Sequence, residues 1–180
     1  MAKKHWMKIH TYLSLFFLPM CLIYVLTGIG YIAGFKDSAG AKIHKITLES
    51  TPQNGEEREF ILELLKSNNL KIPKNTAVTM MKGNPTMGNI KYDVALQRDK
   101  NGQMSLVATE RSIYGVLVLM HKAKGAVYFN ALAICFAVSL MIFYLSGLIV
   151  TSFCKRNRKP ALITLISGLA LTAIAIFLSL

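Results

Sequence analysis

No acidic residue occurs before Asp37 or after Glu110 in this 180-residue chain. Three stretches also lack lysine and arginine: Ile9–Phe35, Gly125–Cys154 and Pro160–Leu180, of 27, 30 and 21 residues. Each is longer than the roughly 20 apolar residues a helix needs to cross a hydrocarbon core of about 30 Å. With 53% hydrophobic residues and a mean hydropathy of +0.41, this pattern excludes a soluble enzyme, a disordered chain and a secreted disulfide scaffold. The expected architecture is a membrane protein with three transmembrane α-helices and one small external α+β domain.

Cysteine is equally scarce. Cys21 and Cys135 lie inside apolar stretches and Cys154 beside a basic one, so the polar middle of the chain cannot be held by disulfides. The three read as packing residues. The spans carry no charged side chain, and a proton relay or ion pathway usually needs one. Nor is there a Ser-His-Asp order, a phosphate-cradling glycine loop, a catalytic carboxylate pair or a His-Glu-x-x-His metal motif. The sequence therefore nominates no catalytic residue and no metal site of its own.

Charge gives the expected orientation. The net +12 divides into +3 before the first span, +5 over Lys36–Lys124 and +4 over Lys155, Arg156, Arg158 and Lys159. Short loops rich in lysine and arginine stay cytoplasmic, whereas long domains cross largely regardless of charge. This predicts a cytoplasmic N-terminus with the first helix over 1–35, an external domain over 36–112 and a juxtamembrane amphipathic helix over 113–124. The second span follows over 125–154, a cytoplasmic loop over 155–159 and the third span over 160–180. Residues 36–124 would face the periplasm or exterior. The first span is too long for the core of a cleavable signal and reads as an uncleaved anchor. The basic runs are short and abut spans, which suits anionic lipid and not nucleic acid.

Within the polar middle, 41–49 alternates as a strand. Helical spacing of Phe60, Ile61, Leu64 and Leu65 predicts a helix over 56–69 that ends at Asn68-Asn69. Strands are expected over 76–82, 90–98 and 103–108, the last two joined by a hairpin turn at Asp99–Gly102. Gly83-Asn84-Pro85 and Gly88 read as punctuation. The expected order is a strand, a helix and a three-strand antiparallel meander. In the first span, Pro19 predicts a kink, and Gly30 and Gly34 form a small-xxx-small pair suited to close helix approach, either within the bundle or between copies.

Four histidines are candidates for a cofactor. Neutral imidazole is the usual axial ligand of a b-type haem, whose low-spin form takes two. His10 opens the first span and His121 precedes the second, at opposite faces in the expected topology. One haem cannot then be held by both within one chain, but a symmetric partner can supply the second ligand to each. His44 can alternatively approach His121, and His5 can support His10. The competing reading makes these residues interfacial anchors, with Trp6, Tyr12, Tyr31, Tyr114 and Tyr128.

Trp6–Leu15 (WMKIHTYLSL), Leu26-Thr27-Gly28, Tyr114–Gly125 (YGVLVLMHKAKG) and Leu145-Ser146-Gly147-Leu148 together resemble the PepSY-associated transmembrane family. The external strands, with their tyrosine and Asp-x-x-Gly turn, look like a PepSY module. Larger relatives in that family have four or more spans and two PepSY modules, and some are haem-bearing inner-membrane reductases of ferric siderophores. The resemblance therefore implies a bacterial inner-membrane location and haem b as cofactor, with a homo-oligomer or a larger membrane complex as context. Three functions follow as expectations. The first is an accessory or structural subunit linked to redox or iron chemistry. The second is a haem-dependent electron-transfer (reductase) subunit using His10 and His121, with His5 and His44 as secondary candidates. The third is a peptidase-regulating PepSY module, which rests on the resemblance alone.

Overall fold

Three apolar helices dominate the two ends of the chain. In the computed structural model they are α1 (Ala2–Ile32), α4 (Val127–Thr151) and α5 (Arg158–Ser179); between α1 and α4 lie β1 (Lys42–Thr47), α2 (Glu57–Ser67), β2 (Val78–Met81), β3 (Asn84–Gly88), β4 (Tyr92–Arg98), β5 (Met104–Glu110) and α3 (Ile113–His121). The structure describes residues 2–48, 50–53, 55–81, 83–99, 102–124, 127–151 and 158–180. All three long helices are long and apolar enough to span a bilayer. Of the basic loop, Lys155 and Arg156 lie outside the described residues, as does Cys154, while Arg158 and Lys159 open α5. Pro19 sits inside α1, where its missing N–H deprives the carbonyl of Leu15 of a helical partner.

The chain divides into two compact units, residues 1–21 with 131–180, and residues 22–130. In the first unit, the start of α1 runs antiparallel to α4. His10 meets Ser146, and the Phe17 and Phe136 rings lie 5.7 Å apart. Phe17, Met20, Phe136, Ser139 and Ser146 are buried there. No residue of α5 is buried.

The second unit is built on a five-stranded antiparallel sheet of order β1-β5-β4-β3-β2. Ile61 and Leu65 of α2 pack on one face, against Met87, Val94, Leu96, Leu106 and Ala108. The helix forms where the spacing predicts, with Glu57 and Glu59 in its first turn and Lys66 in its last, complementing the helix dipole. Its exit bends through Asn69 at φ 52°, a left-handed conformation asparagine tolerates.

The expected three-strand meander is a four-strand one. Residues 84–88, read from sequence as punctuation, form β3 between β2 and β4. Pro85 is tolerated because β3 pairs with β4 only over Thr86–Gly88. The proline thus stands at the strand's start, where its missing N–H breaks no rung on that side. Gly88 ends the strand at φ 114°, and a Cβ there would overlap the Tyr92 carbonyl. The Asn89 side chain closes the turn by accepting from the N–H groups of Lys91 and Tyr92 at 2.9 and 3.1 Å. The β4–β5 pairing up to Arg98 and Met104 bears out the hairpin; Lys100 and Asn101 at its tip lie outside the described residues. Tyr92 donates to the carbonyl of Lys71 at 2.6 Å. Burial, then the carboxylates of Glu110 and Asp93, push its phenol above the ordinary tyrosine range.

The sheet's exit is tied to α1 and α3. Arg111 pairs with Asp93 and donates to the carbonyl of Ile90, and both charged side chains are mostly buried. Ser112 caps α3, accepting from the Gly115 N–H at 3.1 Å and donating to the Ala39 carbonyl at 2.7 Å. Gly115 lies so close to the Asp37 carbonyl that a Cβ would overlap it. Tyr114 fills the space over Gly30 and donates to the Phe35 carbonyl at 2.9 Å. The two glycines of the small-xxx-small pair thus serve different ends. Gly30 receives a tyrosine of its own chain, and Gly34 takes φ 99° just beyond the helix. In α3, Gly115, Val118 and Leu119 are buried, while Ile113 is exposed.

Candidate functional site

His10 and His121 each sit in a helix interface, half-buried, in a similar setting but in different units. The ring of His121, the last residue of α3, faces α1. Its Nδ1 lies 2.7 Å from Thr27 Oγ1. Tyr24, one turn earlier on α1, lies against the imidazole with ring centroids 4.1 Å apart. Tyr24 in turn stacks on Phe129 at 6.5 Å, the planes only 3° apart. A Cβ on Gly28 would come 3.8 Å from His121 Cε1, an ordinary contact, so this glycine lies beside the ring's edge.

His10 repeats this arrangement with α4. Its Nδ1 lies 2.9 Å from Ser146 Oγ, and Phe143 meets the ring edge-on at 5.7 Å. A Cβ on Gly147 would come 4.0 Å from His10 Cε1. Beyond His10, Leu13 and Phe17 line an apolar groove of about 600 Å³ with Ile134, Val138 and Ile142.

The partners of both rings come from one local pattern. Leu26-Thr27-Gly28 meets His121 and Leu145-Ser146-Gly147 meets His10: a hydroxyl beside the ring nitrogen, then a glycine beside the ring carbon. Both hydroxyl residues are buried, Thr27 at 2% exposure and Ser146 at 0%. Burying a hydroxyl in an apolar helix is unfavourable unless it is bonded. Each bonds the histidine and a carbonyl of its own helix, Ile23 at 2.6 Å and Phe143 at 3.1 Å, and Thr27 also reaches the Tyr24 carbonyl at 3.4 Å. In the sequence both tripeptides stand out as marks of resemblance, and Gly28, Ser146 and Gly147 as small residues within the spans. Thr27, Ser146 and Tyr24 were not read as partners of the histidines, although a buried hydroxyl followed by glycine in each of two charge-free spans was the available signal.

Comparison with known protein families, curated proteins and solved structures returned no match.

The other two candidates stand elsewhere. His5 is exposed near the start of α1. Five residues turn a helix through about 140° away from the direction of His10. His44 is exposed on β1, opposite Ala108 of β5, whereas the partners of the His121 ring are Thr27 and Tyr24. Among the described residues no group of three or more His, Cys, Asp or Glu converges as a metal site.

These donors can be tested against a haem iron. Imidazole binds iron through one nitrogen while the other is usually held by a neighbouring hydrogen bond. In both rings the bonded nitrogen is Nδ1, so Nε2 is the atom that would hold an iron, and aromatic or apolar side chains flank both rings. The residues thus fit a haem held by His10 at one site and by His121 at the other, where it would supply one-electron chemistry.

Proposed function

We propose that this chain is a haem b-binding electron-transfer subunit of a bacterial inner-membrane complex, in which His10 and His121 would hold the haem. The observation that carries the reading is the matched pair of imidazoles, each held at Nδ1 by a buried hydroxyl from a facing helix. The chain's own residues fix the ring planes, exclude water with Tyr24, Phe129 and Phe143, and present apolar surface to a macrocycle through Leu13 and Phe17. At each site one imidazole is held in this way, which argues for a second copy or another subunit to complete each ligand pair. The full chain, expressed with ample haem and purified in mild detergent, should show a Soret band that shifts on reduction. A colourless preparation would overturn the reading.

A second reading is an accessory subunit that docks on a larger redox- or iron-linked complex. It is supported by α5, whose apolar surface is unburied along its length. Co-purification of another membrane subunit by a colourless protein would favour it.

The same proposal places the N-terminus and the basic 155–159 segment in the cytoplasm and the sheet, read as a PepSY-like module, outside. A reporter active only in the cytoplasm should be silent when fused after Leu180 and active when fused ahead of Met1. Strong signal from the C-terminal fusion would contradict this topology.

A further inference from the structure

We propose that Thr27 and Ser146 are positioning residues that hold His121 and His10 as Nδ1–H tautomers, so that the Nε2 lone pairs are presented to an electron-accepting ligand. The identity of that ligand as haem iron rests on the function proposed above; the tautomer assignment does not.

The argument is a count of protons. A hydroxyl has one hydrogen to donate and two lone pairs to accept with. Thr27 Oγ1 stands 2.6 Å from the Ile23 carbonyl oxygen. Two oxygens at that distance attract only if a proton lies between them, and the carbonyl has none. The threonine hydrogen is therefore committed to Ile23. The 2.7 Å contact with His121 must then run the other way, with Nδ1–H donating to Oγ1. A neutral imidazole carries one ring proton, so Nε2 is left bare. Ser146 stands in the same relation less tightly, 3.1 Å from the Phe143 carbonyl and 2.9 Å from His10 Nδ1, and the assignment of His10 follows the Thr27 pattern.

Three further features separate this from incidental bonding. An exposed neutral histidine favours the Nε2–H form, so each site selects the less common tautomer. The hydroxyls are buried, so water does not compete for either bond. The same hydroxyl–glycine pair recurs at both rings, with Gly28 and Gly147 each beside a ring carbon.

The test is nitrogen NMR of the haem-free, full-length protein in detergent with nitrogen-15-labelled histidine, at a pH where the rings are neutral. His10 and His121, assigned by single substitutions, should each show a protonated Nδ1 and a pyridine-like Nε2. His44 should show the opposite form. Thr27→Val, which keeps the shape and removes the hydroxyl, should return His121 alone to a tautomer mixture, and Thr27→Ser should restore the Nδ1–H form. Ser146→Ala and Ser146→Thr make the same comparison at His10, which decides the matter if Thr27→Val fails to fold. Protonated Nε2 in the unsubstituted protein, or tautomers indifferent to loss of the hydroxyl, would overturn the proposal. Because haem is absent from this experiment, a missing Soret band defeats the proposed function without touching this result. A Soret band with Nε2–H rings in the haem-free protein defeats this inference alone.

Discussion

Replacing Arg111 by Met should destabilise the sheet domain by about 3 kcal/mol, the scale on which removing one partner of a buried ion pair acts. The side chains of Arg111 and Asp93 are only 15% and 18% exposed. Without the guanidinium, the Asp93 carboxylate is left facing an apolar surface with little water to replace its partner. Arg111 also donates to the Ile90 carbonyl, and its own backbone N–H bonds the Lys91 carbonyl at 2.8 Å. It therefore clamps the start of β4 to the end of β5, one residue before Ser112 caps α3. The substitution should loosen α3 as well as the sheet, visible as faster amide exchange over 104–121 in the full chain. The double variant Asp93→Leu with Arg111→Met removes both charges and should recover most of the loss, to within about 1 kcal/mol of the parent. If the double variant is no better than the single one, the clamp acts through packing and the Ile90 bond, not through the ion pair.

Periodicity made most of this fold legible. The spans show because no charged side chain interrupts them, and α2 shows because Ile61 and Leu65 fall one turn apart. Strands β4 and β5 show because Tyr92, Val94 and Leu96 alternate into an Asp-x-x-Gly turn. β3 was hidden for a local reason. Pro85 and Gly88 signal turns when read alone. Only the pairing of Thr86–Gly88 with Asp93–Ala95 makes the segment a strand, and that is information from a different part of the chain. The candidate site was half legible for the same reason. Histidines at span ends can be seen in sequence. That His121 meets Thr27, 94 residues away, and His10 meets Ser146, 136 away, depends on antiparallel helix registers that no local pattern encodes. Such contacts between distant residues are where local sequence signals end.

Substituting His121 by alanine should remove one Soret component from the haem-loaded protein, and His10→Ala should remove another, while His44→Ala leaves the spectrum unchanged. The prediction follows from the different surroundings of the two rings, each with its own hydroxyl and aromatic neighbours. Losing one ligand should therefore leave the other centre spectroscopically intact. Stability should fall by only about 1–2 kcal/mol for His121→Ala, the usual net worth of one hydrogen bond and one ring contact with Tyr24, because Thr27 keeps its bond to Ile23. That small cost matters for interpretation: a spectral loss in a protein that still melts cooperatively reports ligation and not unfolding. If His10 and His121 are instead interfacial anchors, both substitutions carry the same small stability cost and alter no absorption. A single Soret component that vanishes with either substitution would mean that both rings serve one haem, for example one bridging two copies of the chain. It would replace the two-centre reading while keeping both histidines as ligands.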